Sequence, residues 1–554
     1  MGEQYINAVL RRRWWVLLFS LLLVFFLMSG GRFLKFDNDY RIFFDGTNPQ
    51  LLAFEELQST YTKNDNALLV LAPKNGNVFT PETLNAVVDI TKRAWQVPYS
   101  LRVDSLSNYQ HTYAEGDDLT VIDLVENPKN LTTEQLNYIR DVALNEPLLV
   151  KRLVSESGHI TAINITLELP GKDVTAENPQ AVAKIREIEQ YVRDTYPELD
   201  VYLSGIVMMN NAFPEASQYD MQHLIPLAVL VILAMVFLLL RHVIGTFVTF
   251  LVIVFSVMAA MGSAGWLGVH LSPPVMTAPI IILTLAIADC VHILSNWLQG
   301  MRQGLNKHTA MAESLRINLA PVFLTSLTTA IGFLSLNFSD APPFRDLGNI
   351  SALGVMFAWL FSMTLLPVLV VLLPSFSKKN SSSTLDKNAK KTVMDQLADF
   401  VIAQQKRLIW VMGAVILVLI AFIPKNELND VFVQYFDERI QFRTDTDFIV
   451  ENLTGVYFVD YSLNAKEDNG VSAPQFQQEV ETFTNWLRDQ PEVLHVNTYT
   501  DIMKRLNRNM HADDNAWYRL PDQRDLAAQY LLLYEMSLPY GLDLNNQIDI
   551  RKQS

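Results

Sequence analysis

The sequence predicts an α-helical membrane bundle of about seven transmembrane helices, carrying α+β domains of ferredoxin-like β-α-β type outside the membrane. Three observations carry this. Seven stretches reach the roughly 20 apolar residues that a bilayer core demands of a helix. Basic connections between them alternate with large acidic segments. The chain also begins to repeat itself near residue 396. A length of 554 residues, a net charge of −15, half hydrophobic residues and 18% charged ones fit membrane and water-soluble parts in one chain. They argue against a wholly soluble enzyme or a disordered polymer. The acidic balance argues against a nucleic-acid partner, which needs a basic face. The single cysteine, Cys290, leaves no intrachain disulfide and no Cys-based zinc site.

The expected spans are 14–34, 222–240, 244–266, 274–296, 319–338, 347–373 and 408–424. The first follows Arg11, Arg12 and Arg13, as in a signal peptide. Ser29-Gly30-Gly31-Arg32 after its apolar run lacks a small-residue cleavage pattern, so an uncleaved span is favoured. Arg11 to Arg13, Arg241, the group Arg302, Lys307 and Arg316, and the run from Lys378 to Arg407 all fall on one side. By the positive-inside rule that side is the cytoplasm, with the N-terminus in it. Segments 35–221 and 425–554 then lie outside.

The repeat is read from Gln4–Leu27 and Gln396–Ile423. Each has a short amphipathic piece, a basic cluster, a tryptophan and an apolar run, with Trp15 and Trp410 395 positions apart. Asp39–Asp45 and Asp430–Asp437 extend the match. Two complete copies would need roughly 790 residues. The expectation is therefore a record that stops within its second copy; the alternative is a seven-span protein with a vestigial second domain.

The outer segment 35–221 alternates strands and helices. Strands are expected at Ala67–Ala72, Leu101–Ser105, Leu148–Val154, Ile160–Leu167 and Val201–Ser204. Thr80-Pro81 opens a helix to about Trp95, Thr132 or Thr133 opens one to Asn145, and another covers Ala176–Tyr196. Helices on one face of a sheet fit this order. Segment 425–554 starts with an expected strand at Val456–Leu463 and a helix near Pro474–Asp489. Neither segment has a phosphate loop, a nucleophile elbow or metal-ligand spacing, and His111, Asp117 and Asp118 form no such pattern. No enzyme, cofactor or metal is expected. Residues 374–407 form a cytoplasmic linker, and Val393–Gln405 has the spacing of an interfacial helix.

The sharpest feature is Asp289, halfway along the fourth span. A carboxylate there costs on the order of 2.5–3.5 kcal/mol unless it faces protein or water, or binds a proton. His292 lies three residues on, near the same helical face, with an intrinsic proton affinity suited to exchange. The two form a candidate proton relay; the bland reading is a carboxylic acid that merely packs, and His292 near the membrane surface. Thr325, Ser326, Thr328 and Thr329 in the fifth span either support water near Asp289 or hold helices together.

One span, a large outer segment, five spans and a repeat resemble the resistance-nodulation-division (RND) superfamily. Ala286–Leu294 (AIADCVHIL) and Leu324–Leu336 (LTSLTTAIGFLSL) resemble its fourth and fifth spans. The branch looks like that of the predicted exporters and MMPL lipid transporters, related to Patched and Dispatched. The group 222–373 is also similar to a sterol-sensing domain. The resemblance implies proton-motive-force-driven export of hydrophobic or amphiphilic substrates, with porter-like domains in the periplasm of an inner-membrane protein. Its partners would be the lipid bilayer, the substrate, protons, and a homo-oligomeric copy or second-half polypeptide. Drug-efflux members carry two adjacent aspartates; here Cys290 stands beside Asp289, and the family's counterpart residues in a tenth span have no match. A non-transporting lipid sensor or assembly partner is the alternative. The domains expected are 1–34, 35–221, 222–373, 374–407, 408–424 and 425–554.

Overall fold

A computed structural model describes residues 2–37, 39–61, 63, 65–115, 118–374, 393–427 and 431–554. It divides into two compact units, one of Met1–Leu372 with Phe436–Ser554 and one of Leu373–Tyr435. Among the described residues, seven helices are long and apolar enough to cross a membrane: Arg13–Phe33, Ile206–Leu240, Val243–Trp266, Val275–Arg302, Lys307–Phe338, Pro342–Leu372 and Gln405–Lys425.

The larger unit opens with α1 (Gly2–Arg11), an amphipathic helix that buries Ile6, Val9 and Leu10. Then come the first span, α2 (Arg13–Met28), and the short strand β1 (Lys35–Phe36). The soluble segment follows as α3 (Pro49–Thr60), β2 (Asn66–Pro73), α4 (Pro81–Ala94), β3 (Ser100–Ser105), β4 (Gln110–Glu115), β5 (Asp118–Asp123), α5 (Thr133–Asn145), β6 (Thr161–Leu167), α6 (Val174–Thr195) and β7 (Leu199–Ser204). Caps fall where the sequence places them. Thr80 accepts from the Thr83 amide, and Thr132 forms a capping box with Gln135.

The main sheet has the order β3-β6-β2-β7 and is antiparallel throughout. Strand β2 is apolar on both faces because both faces are covered. Ala67, Leu69 and Leu71 meet Val87 and Ile90 of α4 and Ile185 of α6. Val70 on the other face joins Ile139 of α5 and Ile449. The expectation of cover on one face only is corrected by Ile449, which belongs to α15 (below).

Two expected strands do not form. Leu148–Val154 reverses direction at Lys151, whose φ is +61°, and makes single bridges Val150 to Val154 and Val154 to Thr161. Val456–Leu463 has no strand partner among the described residues, and Tyr457, Phe458, Val459 and Tyr461 are exposed. The hairpin of β4 and β5, and α3, are elements the sequence reading missed.

The helix that carries the second span begins well before residue 222. It is one helix, α7 (Ile206–Leu240), of 35 residues, about 52 Å at 1.5 Å per residue. Its first turns carry Val207, Met208 and Ala212 into the soluble core. Gly205, at φ +104°, joins β7 to it, where a Cβ would strike the Asn66 carbonyl. The remaining spans of this unit are α8 (Val243–Trp266), then the strand β8 (His270–Leu271), α9 (Ala278–Arg302), α10 (Lys307–Leu334), α11 (Pro342–Met363) and α12 (Leu365–Leu372). The expected sixth span is thus a broken helix, interrupted at Thr364 just before Pro367. Gly262 and Gly265 of α8 let the backbone at Leu27–Gly30 approach directly.

The smaller unit holds α13 (Val393–Ala403), a helix within the stretch 393–405 where one is expected, and α14 (Gln405–Phe422), which covers the expected seventh span. Lys378, Lys379, Lys387, Lys390 and Lys391 lie outside the described residues. The larger unit resumes with α15 (Gln441–Asn452), α16 (Pro474–Arg488), α17 (Tyr499–Asn509) and α18 (Arg524–Ser537), with no strand among its described residues from 436 onward. These helices pack on the first soluble segment. Tyr202 stacks on Phe448 of α15 with centroids 3.8 Å apart, and Thr112 of β4 donates to Asn509 of α17 at 2.6 Å.

Candidate functional site

Helix α9 positions the site. Its buried residues Ile282, Ala286, Asp289, Ile293, Trp297 and Gly300 recur every three or four positions and make one stripe. Asp289 lies 11 residues into the helix, about 16 Å from its start. It is 8% exposed. Ser326 of α10 donates to its Oδ2 at 3.3 Å. Cys290 is fully buried and shares a side-chain hydrogen bond with Thr249 of α8.

The four fifth-span hydroxyls separate by helical phase. Ser326 shares a buried stripe with Val322 and Ala330, four residues either side. Thr325 and Thr328 are exposed and donate to carbonyls of their own helix, at Pro321 and Val322 and at Leu324 and Thr325. Thr329 is half-buried. Only Ser326 of the four bonds to the carboxylate. His292 is exposed on α9. The inward neighbour of Asp289 is Ile293, four residues on; Asp289 is itself reached by a step of three from Ala286, and a second step of three in the same sense carries His292 off the stripe. The pairing of Asp289 with His292 is therefore not brought together in this arrangement.

Sequence reasoning missed two further polar groups on the same interface. Ser314 of α10 donates to the Ile293 carbonyl at 2.6 Å. Asn318 donates to the Ser314 carbonyl at 2.8 Å and lies 3.4 Å from its hydroxyl. Their spacing of twelve and eight residues from Ser326, multiples of four along one helix, was the available signal. At the end of the bundle that carries Arg302 and Lys307, His242 caps α8, its Nδ1 accepting from the Gly245 amide at 2.9 Å. Its ring meets buried Trp297 edge-on, 5.2 Å between centroids. Arg13 reaches His308 at 3.3 Å at this same end.

A carboxylate held by one hydroxyl, in a water-excluding seam of apolar helices, can exchange a proton or remain a buried acid. Among the described residues no group of three or more His, Cys, Asp or Glu could hold a metal ion.

Comparison with known proteins places this arrangement. Residues 55–414 match the MMPL family. Over 252 residues the chain is 20% identical to MJ1562 of Methanocaldococcus jannaschii, named as a membrane protein, covering 45% of this chain and 64% of that one. Over 239 residues it is 23% identical to the siderophore exporter MmpL5 of Mycobacterium tuberculosis, covering 42% of this chain and 24% of that one. The matched region spans less than two thirds of the length of either relative.

Proposed function

The chain belongs to the MMPL family, and from that premise we propose that it is a proton-motive-force-driven exporter of RND type. Its substrate is hydrophobic or amphiphilic, and its home is an inner membrane. The observation that carries the reading is Asp289: a buried carboxylate midway along a span, held by a hydroxyl from the next span. Such a group is costly in a purely structural role and useful as a proton carrier. The siderophore exporter among its relatives supports the direction of transport.

Other features support the remaining parts. The strand order β3-β6-β2-β7, with α4 and α6 as crossovers, supports a ferredoxin-like, porter-like domain between the first and second spans. Arg13, His308, Arg302 and Lys307 at one end of the bundle support a cytoplasmic N-terminus.

The test is Asp289→Asn in the complete protein, assayed for efflux driven by an imposed proton gradient. Transport should be abolished while insertion and folding persist. Unchanged proton-dependent efflux would sink the proposal. If wild type binds lipid without any flux, and the variant binds equally well, the sensor or assembly-partner reading takes its place; the single unpaired carboxylate favours that outcome over any enzymatic one.

A further inference from the structure

The second soluble segment repeats the first, and the first shows what belongs on the uncovered face of the second. Helices α3 and α15 begin 392 positions apart, α4 and α16 393, and α5 and α18 391. On this spacing 456–463 is the counterpart of β2, and 494–498 that of β3. Neither forms a strand. In the first segment β2 and β3 are not neighbours: β6 lies between them and pairs antiparallel with both. Among the described residues of the second segment no strand stands in the place of β6. Both counterparts are therefore without the neighbour whose amides and carbonyls would make them strands.

The entry to that place is already built. In the first segment the Val78 amide donates to the Gly158 carbonyl at 3.0 Å, three residues before β6 begins. In the second, the Val471 amide donates to the Lys552 carbonyl at 3.1 Å, 393 and 394 positions on. The Ala465 amide donates to the Gln553 carbonyl at 2.6 Å, which sets the backbone at 553 against the end of 456–463.

The uncovered face has the chemistry of a core. Tyr457, Phe458, Val459 and Tyr461 are exposed, and Tyr461 meets Phe483 of α16 edge-on, 5.1 Å between centroids. A contiguous apolar patch of this kind marks an interface. Phe483 is the counterpart of Ile90, which shares the first core with Ile163 and Ile165 of β6. Beside it, Glu479, Thr482 and Trp486 stand where Ala86, Asp89 and Arg93 of α4 receive α6. There the Tyr191 hydroxyl donates to Asp89 Oδ2 at 2.9 Å, and the Arg93 guanidinium lies 3.5 Å over the Tyr191 ring. Trp486 is 57% exposed and carries no charge, so an apolar helix face suits it.

We propose that this face is the seat of a further β-α unit of the polypeptide, entering at Ser554. Its strand lies between 456–463 and 494–498, antiparallel to both and apolar on both faces as β6 is. Its helix then lays an apolar face on α16. A second copy of this chain does not supply the unit, because its own β6 and α6 are engaged in its own sheet and core.

The experiment builds the strand. The residues of β6, Thr-Ala-Ile-Asn-Ile-Thr-Leu, are appended to Ser554 of the full chain. With Lys552 in the place of Gly158, they fall in the register of β6. Hydrogen–deuterium exchange in detergent is followed by mass spectrometry over 456–463 and 494–497. The extension should slow exchange there by about tenfold or more relative to the unextended chain. The same extension with proline in place of both isoleucines should leave exchange unchanged, since proline has no place in a central strand. Thermal melting checks folding; if the extended chain does not fold, the same seven residues are added as a free peptide, with the same readings. Unchanged exchange with the strand present would overturn the proposal. Equal slowing by the proline version would make the cover a nonspecific apolar contact and overturn it too. Protection already present in the unextended chain, rising with protein concentration alongside a dimer in light scattering, would assign the face to a second copy and overturn it as well.

Discussion

The hydroxyl of Tyr5 donates to the main-chain carbonyl of Met363, 358 positions away in the sequence, at 3.2 Å. The reason lies four residues beyond Met363. Pro367 has no N–H, so the carbonyl that a helix would bond to it is left open at the break between α11 and α12. An amphipathic N-terminal helix thus completes the backbone of the sixth span. Its buried Ile6, Val9 and Leu10 hold it there.

Removing that hydroxyl isolates its worth. Tyr5→Phe should lower stability by about 0.5–1.5 kcal/mol, the net value of one hydrogen bond, seen as a small drop in melting temperature in detergent. Ile6→Asp should cost more, by placing a charge in the same contact, and should expose the N-terminal helix to protease. An unchanged melting curve for both variants would show that α1 is not docked.

The junction of α2 with α8 has no room for a side chain. A Cβ at Gly262 would run into the Leu27 carbonyl, whereas one at Gly31 meets nothing within 4 Å. Gly262→Val should therefore prevent assembly of the bundle or cost several times the roughly 1–3 kcal/mol of ordinary overpacking. Gly31→Ala should be near neutral. Size-exclusion profiles and melting of the two variants decide this.

Acid should loosen the contact between the two soluble segments. Burial, helped by Arg152 and Arg488, pushes the His495 imidazole down to about 4, against the raising effect of its bond to the Pro147 carbonyl. That bond is 2.7 Å long. The folded state thus binds fewer protons at this residue than the unfolded state, whose imidazole keeps a value near 6.5. Its contribution is present above about pH 6.5 and is lost as pH falls through about 4. His495→Gln, which retains a donor, should flatten the stability profile across that window. Denaturant unfolding at pH 7.5 and pH 5 measures it.

Phe448 ties α15 to the sheet through its stack on Tyr202. Phe448→Ala should destabilise this junction by about 3 kcal/mol and increase proteolytic nicking between residues 436 and 474. Equal nicking rates in variant and wild type would contradict the packing described.

Much of this molecule is legible one element at a time. Seven apolar runs mark seven spans because a bilayer leaves a backbone little choice but to bond within its own helix. Thr80 and Thr132 mark helix starts because their side chains satisfy amides that no helix can. Asp289 stands out because nothing local explains a carboxylate in an apolar run. The errors share a cause. Leu148–Val154 and Val456–Leu463 have strand composition, but a strand needs a partner and an unreversed backbone. The first folds back at Lys151, and the second has no neighbour in register among the described residues.

The sequence by itself determined the seven spans, the alternating segment between the first two, the resemblance to a transporter family and the carboxylate at Asp289. Tertiary structure decided which side chains share that carboxylate's surroundings. It turned Ser326 inward and Thr325, Thr328 and His292 outward, because helical phase is set by which face packs against a neighbour. It also brought in Ser314, whose hydrogen bond to the Ile293 carbonyl is a contact between two helices. Period and composition are properties of a segment; a hydrogen bond across an interface exists only once two segments have chosen each other.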